Sequence, residues 1–156
     1  MFPGHFDKTI NDLVPNDELD RERPALVVNA GPSLYRRKSV ARIMASKFKG
    51  EIIIPDGSLG HCLKSGLIPD YLVVVDPHRS RIIRWFGDTK FEQRAQDDYF
   101  TRRQKGLDSD WIDEKLCNQE LIELVNYYGH KIKVIIASSV DPDITQRCIE
   151  SGMALY

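Results

Sequence analysis

Four short apolar runs recur along the chain, each released into a turn of glycine, proline, serine or aspartate: Ala25 to Val28, Glu51 to Ile54, Tyr71 to Val75 and Ile132 to Ala137. Runs this short, with so little polar alternation, read as strands that have no wet side and are buried on both faces. The segments between them carry helical spacing. Val40, Ile43, Met44 and Phe48 fall on one face of a helix that ends near Gly50, while Arg36, Arg37, Lys38, Arg42 and Lys47 occupy its other, solvated face. Leu59, Cys62 and Leu63 make a short helix stopped by Gly66, and Ile82, Ile83, Trp85 and Phe86 make a half-buried one among Arg79, Arg81 and Arg84. Asn118 is placed to cap a helix whose apolar face is Leu121, Ile122, Val125 and Tyr128 and which stops at Gly129. Asp141-Pro142 is a cap and first-turn pair for a last helix through Ile144 and Cys148. Strands alternating with helices at this spacing require right-handed crossovers, and hence a parallel sheet.

The expected fold is therefore α/β: a Rossmann-like parallel sheet of about five strands with flanking helices. Met153 to Tyr156 begins a fifth strand where the sequence stops, so that strand is either an edge or the point at which a longer domain is cut. Residues 1–23 read as an N-terminal arm, and residues 24–156 as the nucleotide-binding domain argued below, with a polar insertion around 87–110. A long polar segment between core elements reads as a lid, an insertion or an oligomer contact.

The 156 residues, 42% of them hydrophobic, suit one domain with a proper core. A formal charge of −1 provides no global field for nucleic acid or an acidic membrane, so neither is an expected partner. Cys62, Cys117 and Cys148 are odd in number and lack paired spacing, which reads as reduced packing cysteines over disulfides or zinc. The N-terminus has no basic region followed by an apolar stretch, and no run is long enough to span a bilayer, so the expected location is cytoplasmic. Exposed sheet edges and the polar insertion leave room for a homo-oligomer.

In a parallel sheet the strand exits share one edge, where ligands gather if connections diverge to opposite faces. This chain delivers Asn29, Gly31, Pro32, Ser33, Asp56, Ser58, Asp76, His78, Ser138 and Ser139 to that edge. Gly31 lets a ligand approach the backbone, and Pro32 suits the first position of a helix whose free N–H groups favour an anion. Asp56 and Asp76, from neighbouring units, can share a Mg²⁺, which takes a few carboxylates plus water and phosphate oxygens. His78 can act as a base or as a donor to a leaving oxygen. The plainer reading of each aspartate is a turn former or cap. Asp70 sits at the opposite edge of its strand and reads as structural.

Asn29-Ala-Gly-Pro-Ser-Leu34, Ile54-Pro-Asp-Gly-Ser58 and Gly66-Leu-Ile-Pro-Asp-Tyr-Leu-Val-Val-Val-Asp-Pro77 together resemble the 6-hydroxymethylpterin diphosphokinase MptE-like family, shared with the central domain of the motility accessory factor glycosyltransferases. The likeness covers Ala25 to Pro77 well and the remainder loosely. It implies a nucleotide site lined by Gly31, Pro32, Ser33, Asp56 and Asp76, and Mg²⁺-dependent transfer of diphosphate from ATP to the hydroxymethyl group of a small acceptor. Asp76 followed by Pro77-His78 is nearer the motility accessory factor form, which implies a nucleotide sugar instead. A non-catalytic nucleotide-binding module is the third alternative.

Overall fold

The computed structural model describes residues 8–13, 24–97 and 108–156. Five parallel strands form one sheet: β1 (Ala25–Val27), β2 (Glu51–Pro55), β3 (Tyr71–Val74), β4 (Lys133–Ile136) and β5 (Ala154–Leu155). Helices flank it, so the α/β, Rossmann-like expectation is met. The strands lie side by side in the order of the chain, β1-β2-β3-β4-β5.

That order overturns one expectation. Right-handed crossovers that always step in the same direction place every connecting helix over the same face of the sheet. Ile52, Ile54, Leu72, Val74, Val134 and Ile136 are buried beneath the helices, whereas their alternating neighbours Ile53, Val73 and Ile135 are only half-buried. Val27 and Val75 are 60% and 64% exposed. The apolar runs thus lack polar alternation although one side of the sheet is open. The register carries this open row across the sheet, Val27 beside Ile53, Ile53 beside Tyr71 and Val73 beside Ile135. A contrast between neighbours follows. Val74→Ala is expected to lower stability by about 2 kcal/mol through lost burial and a residual cavity, and Val75→Ala by less than about 0.5 kcal/mol, in urea titrations.

The first helical segment is also shorter than its pattern. It divides into α1 (Pro32–Arg36) and α2 (Ser39–Ser46), because Lys38 takes a left-handed conformation with φ 49°. Val40 is buried, Ile43 and Phe48 are half-buried, and Met44 is 44% exposed. A 3₁₀ turn, Asp56–Ser58, runs into α3 (Leu59–Lys64), which buries Leu59, Cys62 and Leu63 as expected. Past β3 come α4 (Arg79–Ile82), a second 3₁₀ turn Ile83–Phe86, and α5 (Phe91–Asp97). Residues 98–107 of the expected insertion lie outside the described residues, as do 1–7 and 14–23 of the arm. Of the arm, Ile10–Asp12 forms a 3₁₀ turn, with Ile10 exposed, and Lys8 places its ammonium 5.2 Å from the centre of the Tyr156 ring.

The long helix α6 (Asp108–Tyr128) starts ten residues before the cap its sequence suggested, and Asn118 lies inside it. The Asn118 side chain instead brackets a distant backbone unit: its Oδ1 accepts from Asp88 N at 2.8 Å and its Nδ2 donates to Asp88 O at 2.9 Å. The last helix, α7 (Pro142–Glu150), begins as read, with the Asp141 carboxylate accepting from Asp143 N at 2.9 Å. Asp70 is structural as expected, its Oδ2 accepting from Ile52 N at 2.8 Å where β2 meets β3. Cys62 and Cys148 are buried, and burial pushes their thiols up to about 11 and about 12, so both are inert packing groups. Cys117 departs from that reading and is exposed.

Candidate functional site

Because the sheet is wholly parallel, the exits of β1 to β4 share its C-terminal edge, and every candidate residue sits in one of them. The edge has no reversal of strand order, so it lacks the crevice that diverging connections would open. It is a rim. The exits of β1 and β2 touch: a Cβ built on Gly57 would lie 3.3 Å from that of Ala30, and the Ser58 hydroxyl donates to Val28 O at 3.2 Å. Ser58 is fully buried, so it ties the two exits together and does not face a ligand. Asn29, Pro32, Ser33, His78 and Ser138 are exposed on the rim, and Gly31 is half-exposed.

Gly31 adopts φ 144° and ψ 168°, a conformation essentially confined to glycine, and a Cβ built there would meet nothing within 4 Å. The turn needs glycine for its backbone alone, and the space beside it is open. The helix that follows has only five residues, so it supplies less of the aligned dipole that its Gly-Pro-Ser start implied.

Asp56 and Asp76 are the most informative pair. Each satisfies the plainer reading with one oxygen: Asp56 Oδ1 accepts from Gly57 N at 2.6 Å, and Asp76 Oδ1 accepts from His78 N at 2.9 Å. Their second oxygens make no hydrogen bond within the described residues. Burial holds the Asp56 carboxyl above the ordinary carboxylate range; the Gly57 N–H opposes this, and the negative charge of Asp76 adds to it. Two carboxylates from adjacent strand exits, close enough for the charge of one to act on the other and each with a spare oxygen, suit a hard divalent cation. No group of three or more His, Cys, Asp or Glu side chains gathers for a metal among the described residues, so any such ion would complete its shell with water and phosphate oxygens, as Mg²⁺ does.

Arg79, which follows the exit of β3, is held by carboxylates away from the rim aspartates. Arg79 bonds Asp143 through Nη2 at 2.5 Å and Nε at 2.8 Å, and Arg94 joins the same carboxylate at 2.8 Å. Burial raises the Asp143 carboxyl, but the bonds from Arg94 and Arg79 outweigh it and hold the group below its usual range. Arg84 is half-buried. A cavity of about 260 Å³ opens elsewhere, between α5 and α6, lined by Asp88, Lys90, Glu92, Lys115, Asn118 and Gln119. Two of its charged pairs close locally, Lys115 on Glu92 and Asp88 on Arg94.

The sequence reading passed over Tyr35, a residue 56% exposed whose ring packs on His61 with centroids 4.2 Å apart at 46°. The available signal was an aromatic residue at the head of a basic, solvated stretch. No helix among the described residues is long and apolar enough to cross a membrane. No family model, no curated protein and no solved structure matches the chain.

Proposed function

We propose that the rim binds a magnesium nucleotide and transfers diphosphate from ATP to a hydroxymethyl acceptor. The observation that carries this reading is the pair Asp56 and Asp76 on adjacent strand exits, within reach of each other's charge, each with one oxygen spent on its own turn and one left over. The resemblance of the three exit motifs to the diphosphokinase family supports it. Asp56 and Asp76 would hold Mg²⁺, which would shield the phosphate charge. Beside them the open turn at Gly31 admits a phosphate close to the backbone, and the exposed hydroxyls of Ser33 and Ser138 can donate to its oxygens. In the transfer the acceptor oxygen bonds to the β-phosphorus, the bond from that phosphorus to the α–β bridging oxygen breaks, and AMP leaves. His78, exposed beside Asp76, takes the hydroxyl proton. Most of the acceleration would come from holding the two substrates in line.

A thermal-shift screen tests this. At a hundredfold excess over Kd, Mg-ATP should stabilise the fold by about 2.7 kcal/mol, or about 8 °C for a domain of this size, and AMP should form with hydroxymethyl acceptors. No shift with any nucleotide in the presence of Mg²⁺ would sink the reading. Asp76-Pro77 favours a second one, a glycosyl transfer in which a cytidine or uridine sugar nucleotide raises the melting temperature and ATP does not.

A further inference from the structure

We infer that the stacked pair Tyr35 and His61 is the platform on which the nucleobase of that nucleotide lies, so that the site takes nucleoside polyphosphates in preference to inorganic ones. The inference rests on the nucleotide reading of the rim and adds a recognition element to it. Tyr35 lies four residues beyond Gly31, and His61 five beyond Asp56, so both rings are within about one helical turn of the adjacent exits of β1 and β2. Helical side chains lean toward the N-terminus of their helix, which here is the direction of the rim. The contact between the exits at Ala30 and Gly57 keeps the two helices, and therefore the two rings, together.

Packing alone does not explain the tyrosine. More than half of its surface remains in solvent, and its hydroxyl has no hydrogen-bond partner among the described residues. Gly31, beside which the space is open, immediately precedes the helix that carries Tyr35. The surroundings also favour an anion. No carboxylate occurs between residues 25 and 50, and Arg36, Arg37, Lys38 and Arg42 are exposed without an ion-pair partner among the described residues. Cations beside an exposed aromatic face draw in the phosphates and leave the ring for the base. Stacking accepts any π-face, so the platform separates nucleotides from inorganic polyphosphate and does not choose among bases.

Calorimetric titration of the parent chain, Tyr35→Ala and Tyr35→Phe with Mg-ATP and with Mg-tripolyphosphate tests the assignment. Tyr35→Ala should weaken Mg-ATP about tenfold and leave Mg-tripolyphosphate unchanged, while Tyr35→Phe, which keeps the π-face, should bind both as the parent does. Equal ATP affinity in Tyr35→Ala and the parent would overturn it, as would a loss of both ligands together in Tyr35→Ala. If the parent binds tripolyphosphate as tightly as ATP, the platform fails and the magnesium-phosphate site stands. If the parent binds neither, the reading of the rim fails and the platform with it.

Discussion

Asp56→Asn is expected to bind a magnesium nucleotide about a hundredfold more weakly than the parent chain, about 2.7 kcal/mol, while unfolding at a higher temperature near neutral pH. The substitution isolates the charge, because the asparagine carbonyl can still accept the bond from Gly57 N that shapes the turn. Asp56 is held above the ordinary carboxylate range by burial, with Asp76 adding to the effect against the Gly57 bond. A raised acid binds more protons folded than unfolded. Its contribution to stability therefore falls as the pH climbs from the ordinary carboxylate range through the raised value, and above that the charged form costs the fold throughout. Removing the charge should stabilise the chain at about pH 7 and have no such effect at about pH 3, where the parent carboxyl is already neutral. Urea titrations at the two values read the sign, and calorimetry with Mg-ATP reads the affinity. Greater stability with undiminished affinity would reduce Asp56 to a turn former. A site that keeps a destabilising charge because binding requires it is the expected pattern where stability has been traded for function.

Gly129→Val is expected to cost about 4 kcal/mol or more and to lower the melting temperature by about 12 °C. A Cβ at this position would lie 2.1 Å from the Ser151 carbonyl oxygen and 2.9 Å from its carbon, and both are backbone atoms that cannot swing aside. Ser151 is itself buried, its hydroxyl donating to Cys148 O at 2.8 Å, so the end of α7 has little room to retreat. From the sequence, Gly129 is the residue that ends a helix. The structure supplies a different reason for glycine there: the end of α6 and the end of α7 meet at that point, just before β4 and β5 begin. A melting curve within about 3 °C of the parent would show that the two helix ends are less tightly opposed than this.

Local chemistry was legible wherever the partners are close in sequence. The alternation of apolar runs with helical spacing, the Asp141-Pro142 cap, the structural role of Asp70 and the half-buried stretch ending at Phe86 all depend on residues or strand neighbours that the pattern itself specifies. Helix boundaries were less legible. Lys38 enters the left-handed region without the glycine that usually announces it, and the polar first half of α6 made Asn118 look like a cap when its amide is used 30 residues away on Asp88.

From its residue pattern alone this chain is committed to a parallel α/β sheet whose exits bring Gly31, Asp56, Asp76 and Ser138 to one edge, since each step depends on periodicity and turn chemistry within a few residues. Tertiary structure decided the strand order, and with it that one face of the sheet stays open, a distinction invisible in runs such as Ile52-Ile53-Ile54 that are apolar on both sides. It also decided that Asp56 feels the charge of Asp76 and that Tyr35 rests on His61. These are contacts between elements about 20 to 26 residues apart, and such contacts are set by how the whole core packs, which no local window of sequence contains.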